Sequence, residues 1–525
     1  MADMNYLSDG TNTYNVADAQ ARADISDIGN YIGYTDDDIY GLEVDYENGT
    51  FTRLAGSIGK TGGADFNNTI AWGGRRRCNL TDDGVVTAYY GDEAYTETGA
   101  LTQAVTVNGT EYPIGTAVQV MVEQPKFYYK VVPLKLESYT TQNGDIGYHI
   151  RKAAYYIADT PKDGFKLHPA FIRAGAEKEK IYLSAYEGCL YDVSESSYIT
   201  DDAQVADFNA DKMSSIANVK PMSGLTQNLT RANARKLAQN RGVGWEQMYI
   251  HTVSASQLLF IIEYATFNSQ AAIGNGIVNK AVGSGNESDN TGGTSSLGNA
   301  SGSVANGEVS YRGEENNWGN IWKWEDGINI QNPNPFNDGE YGNVYVADNG
   351  FADNTNTLPY EDTDIYPCKT GGGWISAFGY NEKFNWIFIP TEVKGNLPPV
   401  GDMVWNPNTG WRTTGLSGGW YDGPGIGIFC LRLDSSSFVS SNTVGSRLVY
   451  IPDADESTRS LQQLDADLTT LEDKVSGISK DNADNLTITS DGNVNVEGDN
   501  FYLTIDGESR MTLKAYIQGV TNGTI

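Results

Sequence analysis

The residue types able to do covalent chemistry are few in this chain, and their spacing does not suit it. Four cysteines, Cys78, Cys189, Cys368 and Cys430, stand far apart and form no CxxC pair. They are expected to pack as small buried hydrophobes, not as disulfide staples or metal ligands. The three histidines, His149, His168 and His251, are scattered, so neither a zinc site nor a histidine-based triad is expected. No Gly-x-Ser-x-Gly stretch is set as a strand–turn–helix elbow. The run Gly423-Pro424-Gly425-Ile426-Gly427 lacks the βαβ setting of a nucleotide loop and reads as a plain loop. With 67 acidic residues, paired carboxylates carry no signal for glycoside hydrolysis. The acidic loops 286–290 and 348–356 lack EF-hand spacing and read as solvated loops. No catalytic residue, metal or cofactor is therefore expected. The segment 411–447 has a different texture, mixing glycine turns with Trp, Tyr, Arg, Phe and many serines, the composition that recognition loops use.

A chain of 525 residues is too long for one small core and is expected to form several domains. Its 36 basic and 67 acidic residues give a net charge of −31, a field that repels phosphate backbones and anionic membranes. Neither nucleic acid nor membrane insertion is expected. No apolar run reaches spanning length, and the start lacks a signal-peptide pattern, which points to synthesis in a cytoplasm. The one basic cluster, Arg75-Arg76-Arg77, is expected to pair with carboxylates, within the chain or across a subunit interface.

The fold class expected is multidomain and mainly β with α+β parts. Residues 1–35 read as an N-terminal helical or attachment segment, with Val16, Ala19, Ala23, Ile28 and Ile32 at helical spacing. Residues 36–166 read as a β-rich module, with hairpin turns at Glu47-Asn48-Gly49-Thr50 and Asn108-Gly109. Residues 167–452 are mixed. Helices are predicted over 230–242, with Leu229 and Leu237 inward, and over 254–274, ended by Gly274. A Gly/Ser/Asn-rich loop follows at 281–308. In 453–480, Leu461, Leu464, Leu468, Leu471, Val475 and Ile478 alternate at spacings of three and four, the seam of a short coiled coil. Residues 481–525 read as short strands at Asp-Gly and Glu-Gly turns, a β-rich C-terminal region of the kind that closes on oligomerisation.

Three segments in order resemble the formylglycine-generating-enzyme-like branch of the C-type lectin fold. These are the helix at 252–267, the stretch Gly319-Asn320-Ile321-Trp322-Lys323-Trp324, and the closing segment 411–452. The resemblance implies a C-type-lectin-like α+β domain over 167–452. Enzymes of that branch oxidise a cysteine with a reactive cysteine pair and copper. Here Cys430 stands alone in Ile-Phe-Cys-Leu-Arg-Leu, and this departure argues against an enzyme. The closing segment is also similar to the variable region of phage tropism determinants. That likeness implies ligand contact by Trp411, Arg412, Trp420, Tyr421, Asp422, Ser435, Ser437, Phe438, Ser440 and Asn442. The run from 181–188 through 219–242 to 310–324 resembles tail proteins of phages and prophages of gut bacteria.

Together these resemblances imply a phage tail-fibre receptor-binding protein, located in the virion, that attaches to a bacterial cell-surface receptor, either saccharide or protein. Its other expected partners are itself, as a homotrimer held by the 457–479 seam, and further phage tail proteins. The alternative is a structural fibre or baseplate component that touches no receptor.

Overall fold

The computed structural model describes residues 6–8, 13–15, 34 and 36–452, apart from 204–205, 368, 370, 396–399 and 407. Of 453–525 it describes the strand segments 478–480, 486–488, 502–505 and 508–512. Two compact units divide at Pro452 and Asp453. In the second, Ile478–Lys480 pairs with Leu486–Ile488, and Tyr502–Ile505 with Glu508–Thr512, both antiparallel. The seam residues Leu461, Leu464, Leu468, Leu471 and Val475 lie outside the described residues. Ile478 is in a strand, so the coiled-coil seam does not extend to it. At the N-terminus Thr13–Asn15 pairs with Tyr6–Ser8 as a strand, where a helix was predicted from residue 14; the rest of that helix lies outside the described residues.

The protein is mainly β, as composition predicted. The hairpins form where the turn residues place them. Asp45 Oδ1 accepts the N–H groups of Glu47 and Asn48 and turns Ile39–Asp45 into Thr50–Ala55. Asn108 and Gly109 both take positive φ (50° and 84°) between Val105–Val107 and Thr110–Tyr112. A five-stranded antiparallel sheet runs in the order Lys166–Leu167, Tyr128–Thr140, Ile146–Ala158, Ile39–Asp45, Thr50–Ala55.

The expected division at 166/167 does not separate two cores. A six-stranded sheet has the order Trp245–Gln247, Leu448–Tyr450, Lys180–Ser184, Val118–Pro125, Arg76–Thr81, Val86–Tyr89. Its first three strands come from one side of that division and its last three from the other. The largest core cluster likewise joins Leu42, Val120 and Tyr155 to Leu259, Phe267 and Phe429. Composition changed at 166 because the strands shorten and the loops lengthen, while the interior stays continuous.

Two helices sit in this interior. Thr230 caps Arg231–Gln239 by accepting the N–H of Asn233, and Leu229 and Leu237 are fully buried. Ile250–Tyr264 is buried nearly all round, which fits its unbroken apolar sequence. It ends at Ala265 in the left-handed conformation and not at Gly274; a separate short helix, Ser269–Ala272, follows. A ten-stranded mixed sheet then gathers the aromatic half of the chain. Gly410–Leu416 pairs with Ile328–Asn332, Trp322–Trp324 and Leu431–Ser435, and the last runs parallel to Met403–Trp405.

Candidate ligand-binding face

The loops after Gly410–Leu416 and Leu431–Ser435 carry most of the predicted ligand residues, and the structure sorts them into anchors and presented groups. Trp420 is an anchor. It is 1% exposed, packed with Ile277 and Ile321, its ring edge-on to Tyr421 at 5.8 Å, and its carbonyl accepts Lys280 N–H at 2.7 Å. The glycine-rich loop around it is folded inward because Gly418, at φ +67°, lets the backbone press on Ile426. Exposure of Trp420 was expected, and burial replaces it. Ser435 and Ser437 are buried too; Ser437 donates to Asn354 Oδ1 at 3.3 Å.

Asp422, Ser440 and Asn442 hold backbone. Asp422 Oδ2 accepts Gly419 N–H at 2.7 Å, Ser440 Oγ donates to Gln227 O at 3.0 Å, and Asn442 Nδ2 donates to Gly285 O at 2.6 Å. Burial pushes the Asp422 carboxyl up against the opposing Gly419 hydrogen bond. Trp411 is half-buried on the cluster of Tyr345, Ala347 and Tyr360, its ring 5.9 Å from that of Tyr345. Arg412 is half-buried, gives Nη1 to the carbonyl of Trp411 at 2.7 Å, and has no partner for Nε. Burial lowers its pKa, and nearby Asp434 opposes this.

Phe438 alone among the ten is thrust into solvent, at 75% exposure. Around it three segments converge. Gly224 N–H donates to Ser441 O at 2.9 Å, and a Cβ at Gly224 would come within 2.2 Å of Ser440 Oγ, so this approach requires glycine. The 281–287 loop joins through Asn442 and Gly285, and Asn286 Nδ2 donates to Pro221 O at 2.8 Å. These segments also expose Leu225 (40%), Val282 (74%) and Val439 (36%). Sequence reading missed Leu225 and Val282. Their signal was a single large apolar side chain on a loop otherwise built of small and polar residues.

Beside this rim, half-buried Tyr421 lies near Arg432, whose guanidinium sits over Trp322 at 5.9 Å while Nε donates to Asp434 Oδ1 at 2.7 Å. Trp405 meets Trp322 edge-on at 6.0 Å. Trp322 and Trp324 are core residues, and the intervening Lys323 is buried with them. It meets Glu187 at 3.2 Å and donates to Gly319 O at 2.7 Å; burial nevertheless depresses it to about 8.

The remaining chemistry-bearing residues are held in the interior. Cys78, Cys189 and Cys430 are buried, as expected, and burial raises each thiol; for Cys430 the nearby Asp402 and Asp422 add to it. A thiol raised this way has little thiolate at neutral pH. Cys368 lies outside the described residues. His251 is depressed to about 3 and His149 to about 4, both by burial first. Among the described residues no three His, Cys, Asp or Glu side chains gather as a metal set, and no helix is long and apolar enough to cross a membrane.

The arginine cluster pairs within the chain: Arg75 with Glu314, Arg76 with Glu123 at 3.3 Å, and Arg77 with Glu97 at 3.6 Å. The acidic loops are not simply solvated. Asp353 meets Arg231 at 2.6 Å and Arg235 at 2.7 Å, and Asp289 meets Lys280 at 2.5 Å. No protein-family model matches the chain, and a search of curated proteins finds no matching relative.

Proposed function

We propose that the chain is a receptor-binding protein of a phage tail fibre, and that its ligand face is the rim formed by 223–227, 281–287 and 436–443. One observation carries this reading. Three loops cross-linked by hydrogen bonds display Phe438, Val282, Leu225 and Val439 to solvent from an otherwise buried scaffold. Scattered exposed hydrophobes are ordinary, but an apolar group on converging loops marks an interaction site. The ordered resemblance of 252–267, 319–324 and 411–452 supports a C-type-lectin-like fold for this half. Pairing of Trp322–Trp324 with both Gly410–Leu416 and Val444–Gly445 is in keeping with it. The proposed activity is binding and not catalysis, which the raised thiol of the isolated, buried Cys430 supports.

Changing both Phe438 and Leu225 to Ala is expected to weaken adsorption to host cells by about 2 kcal/mol or more, roughly thirtyfold, if they are anchor residues. The melting temperature should hardly move, since exposed loop positions support little core. Cell-binding titration of the folded double variant checks this, and unchanged adsorption would remove the rim from the argument.

We further infer a homotrimer assembled through the seam that ends at Val475, short of the strand Ile478–Lys480. Light scattering of the intact chain at micromolar concentration should give three times the mass of one chain. Leu464→Asp with Leu471→Asp should dissociate it, because a charge buried in an apolar seam without a partner is costly. A monomeric wild-type chain would contradict the inference.

A further inference from the structure

We propose that the receptor met by the rim of 223–227, 281–287 and 436–443 is a protein surface presenting apolar side chains beside a basic group, and not a saccharide. This rests on the reading of the chain as a receptor-binding protein and names the class of receptor. The polar side chains of the three segments carry the argument, because most of them are already engaged with the loops themselves.

A saccharide is held through its hydroxyls, which need polar groups free to pair with them. Asn286 gives away both amide hydrogens, to Asp202 Oδ2 at 2.9 Å and to Pro221 O at 2.8 Å. Its Oδ1 accepts the N–H and the hydroxyl of Ser288. Asn442 donates to Gly285 O, and its Oδ1 accepts the Ser441 hydroxyl. Ser440 donates to Gln227 O, and the buried Gln227 accepts Ala206 N–H with Oε1. Ser437 donates to Asn354 and Thr226 to Asp202 O. These bonds fix the loops, and the large side chains the loops expose are Phe438, Val282, Leu225 and Val439. Ser284 and Ser436 keep a hydroxyl hydrogen each, on two different loops. Among the described residues the rim thus has one exposed ring and no exposed amide. Sugar hydroxyls laid on such a surface lose water without gaining partners, which opposes binding.

Charge works against an acidic polysaccharide. Glu287 is exposed and has no ion pair among the described residues. Its Oε1 stands over Gly283, next to Val282, and leaves no room for a Cβ there. Lys280, just before this loop, is held by Asp289 at 2.5 Å and by Glu287 O at 2.9 Å. An anionic polymer therefore meets a free carboxylate without a free ammonium to offset it. A protein surface meets neither obstacle. Its apolar side chains cover Phe438 and Val282 as the dry centre of an interface, and a lysine or arginine at its border answers Glu287. The net charge of −31 acts the same way at longer range, drawing a basic border in and speeding encounter.

Adsorption of the full chain to cells of a strain that it binds tests this. The cells are first treated either with a broad protease or with periodate, which cleaves the vicinal diols of surface saccharides. Protease is expected to lower the bound chain by about tenfold or more, and periodate to leave it unchanged. Glu287→Lys, at an exposed position, should slow association about tenfold at low salt, and the difference should close at high salt. Its melting temperature should match wild type. Adsorption lost to periodate, whether or not protease also removes it, would make the ligand a saccharide and overturn the proposal. Adsorption that survives both treatments, or equal association rates for Glu287→Lys and wild type, would overturn it as well. Failure of the reading on which it rests looks different: the Phe438 and Leu225 double variant would then adsorb to untreated cells as wild type does.

Discussion

Trp420→Ala is expected to destabilise the first unit by about 3–5 kcal/mol, the usual cost of emptying a large aromatic site in a core. The indole fills the space between Ile277, Ile321 and Tyr421, and the loop's path depends on it. Lys280 N–H bonds to the carbonyl of Trp420, and Gly423 N–H bonds to Val278 O. The 417–427 loop and the 277–280 segment are therefore pinned on either side of the ring. Removing the ring leaves a cavity that these two tethers hold open, so relaxation recovers little. Denaturant titration should show a lower midpoint, and ligand binding should fall only as the folded fraction falls. A variant with wild-type stability and lost adsorption would instead make Trp420 a contact residue.

That expectation reverses what composition alone suggests, and the reason is local. Residues 417–425 read Ser-Gly-Gly-Trp-Tyr-Asp-Gly-Pro-Gly, and glycine-rich loops with aromatics serve equally well as displayed binding loops or as loops folded onto a core. Only the tertiary partners Ile277 and Ile321, about a hundred and more residues away in sequence, decide between them. Elements governed by neighbours in sequence were legible. The Asn108-Gly109 turn, the Thr230-capped helix and the buried stripe of 250–264 all depend on residues within one turn or one strand. The six-stranded sheet was not legible, because it pairs Lys180–Ser184 with Val118–Pro125 on one side and Leu448–Tyr450 on the other. No local signal encodes a partner some 270 residues distant. Phe438 was named through the likeness of one segment to a variable region, while the rim it belongs to is built from three segments and was not legible.

Glu325→Gln is expected to change how stability depends on pH. Glu325 follows the buried Trp-Lys-Trp strand and is itself fully buried. Burial first pushes its carboxyl up, to about 8; Asp326 pushes the same way, while Arg231 and the Thr414 hydroxyl, 2.7 Å from Oε2, oppose. Oε1 has no partner. The unfolded chain holds this proton only below about 4.3. Between about 4.3 and 8 the folded protein binds a proton that the unfolded chain has released, so stability falls as pH rises across that window and levels off above it. One such group accounts for about 5 kcal/mol over the full window. A glutamine side chain cannot ionise, so the variant's stability relative to wild type should improve by several kcal/mol, about 4, between pH 5 and pH 8. The amide leaves its own buried N–H groups short of acceptors, a cost that is constant with pH. The comparison must be between the two proteins at each pH. His149 and His251 are depressed in the fold, so their stabilisation is present above about 6.5 and is lost in acid, and Glu315, raised to about 7, slopes the other way. Those contributions are common to both proteins and cancel in the difference. Parallel stability–pH curves for wild type and Glu325→Gln would show that Glu325 stays ionised in the fold, with Arg231 outweighing its burial.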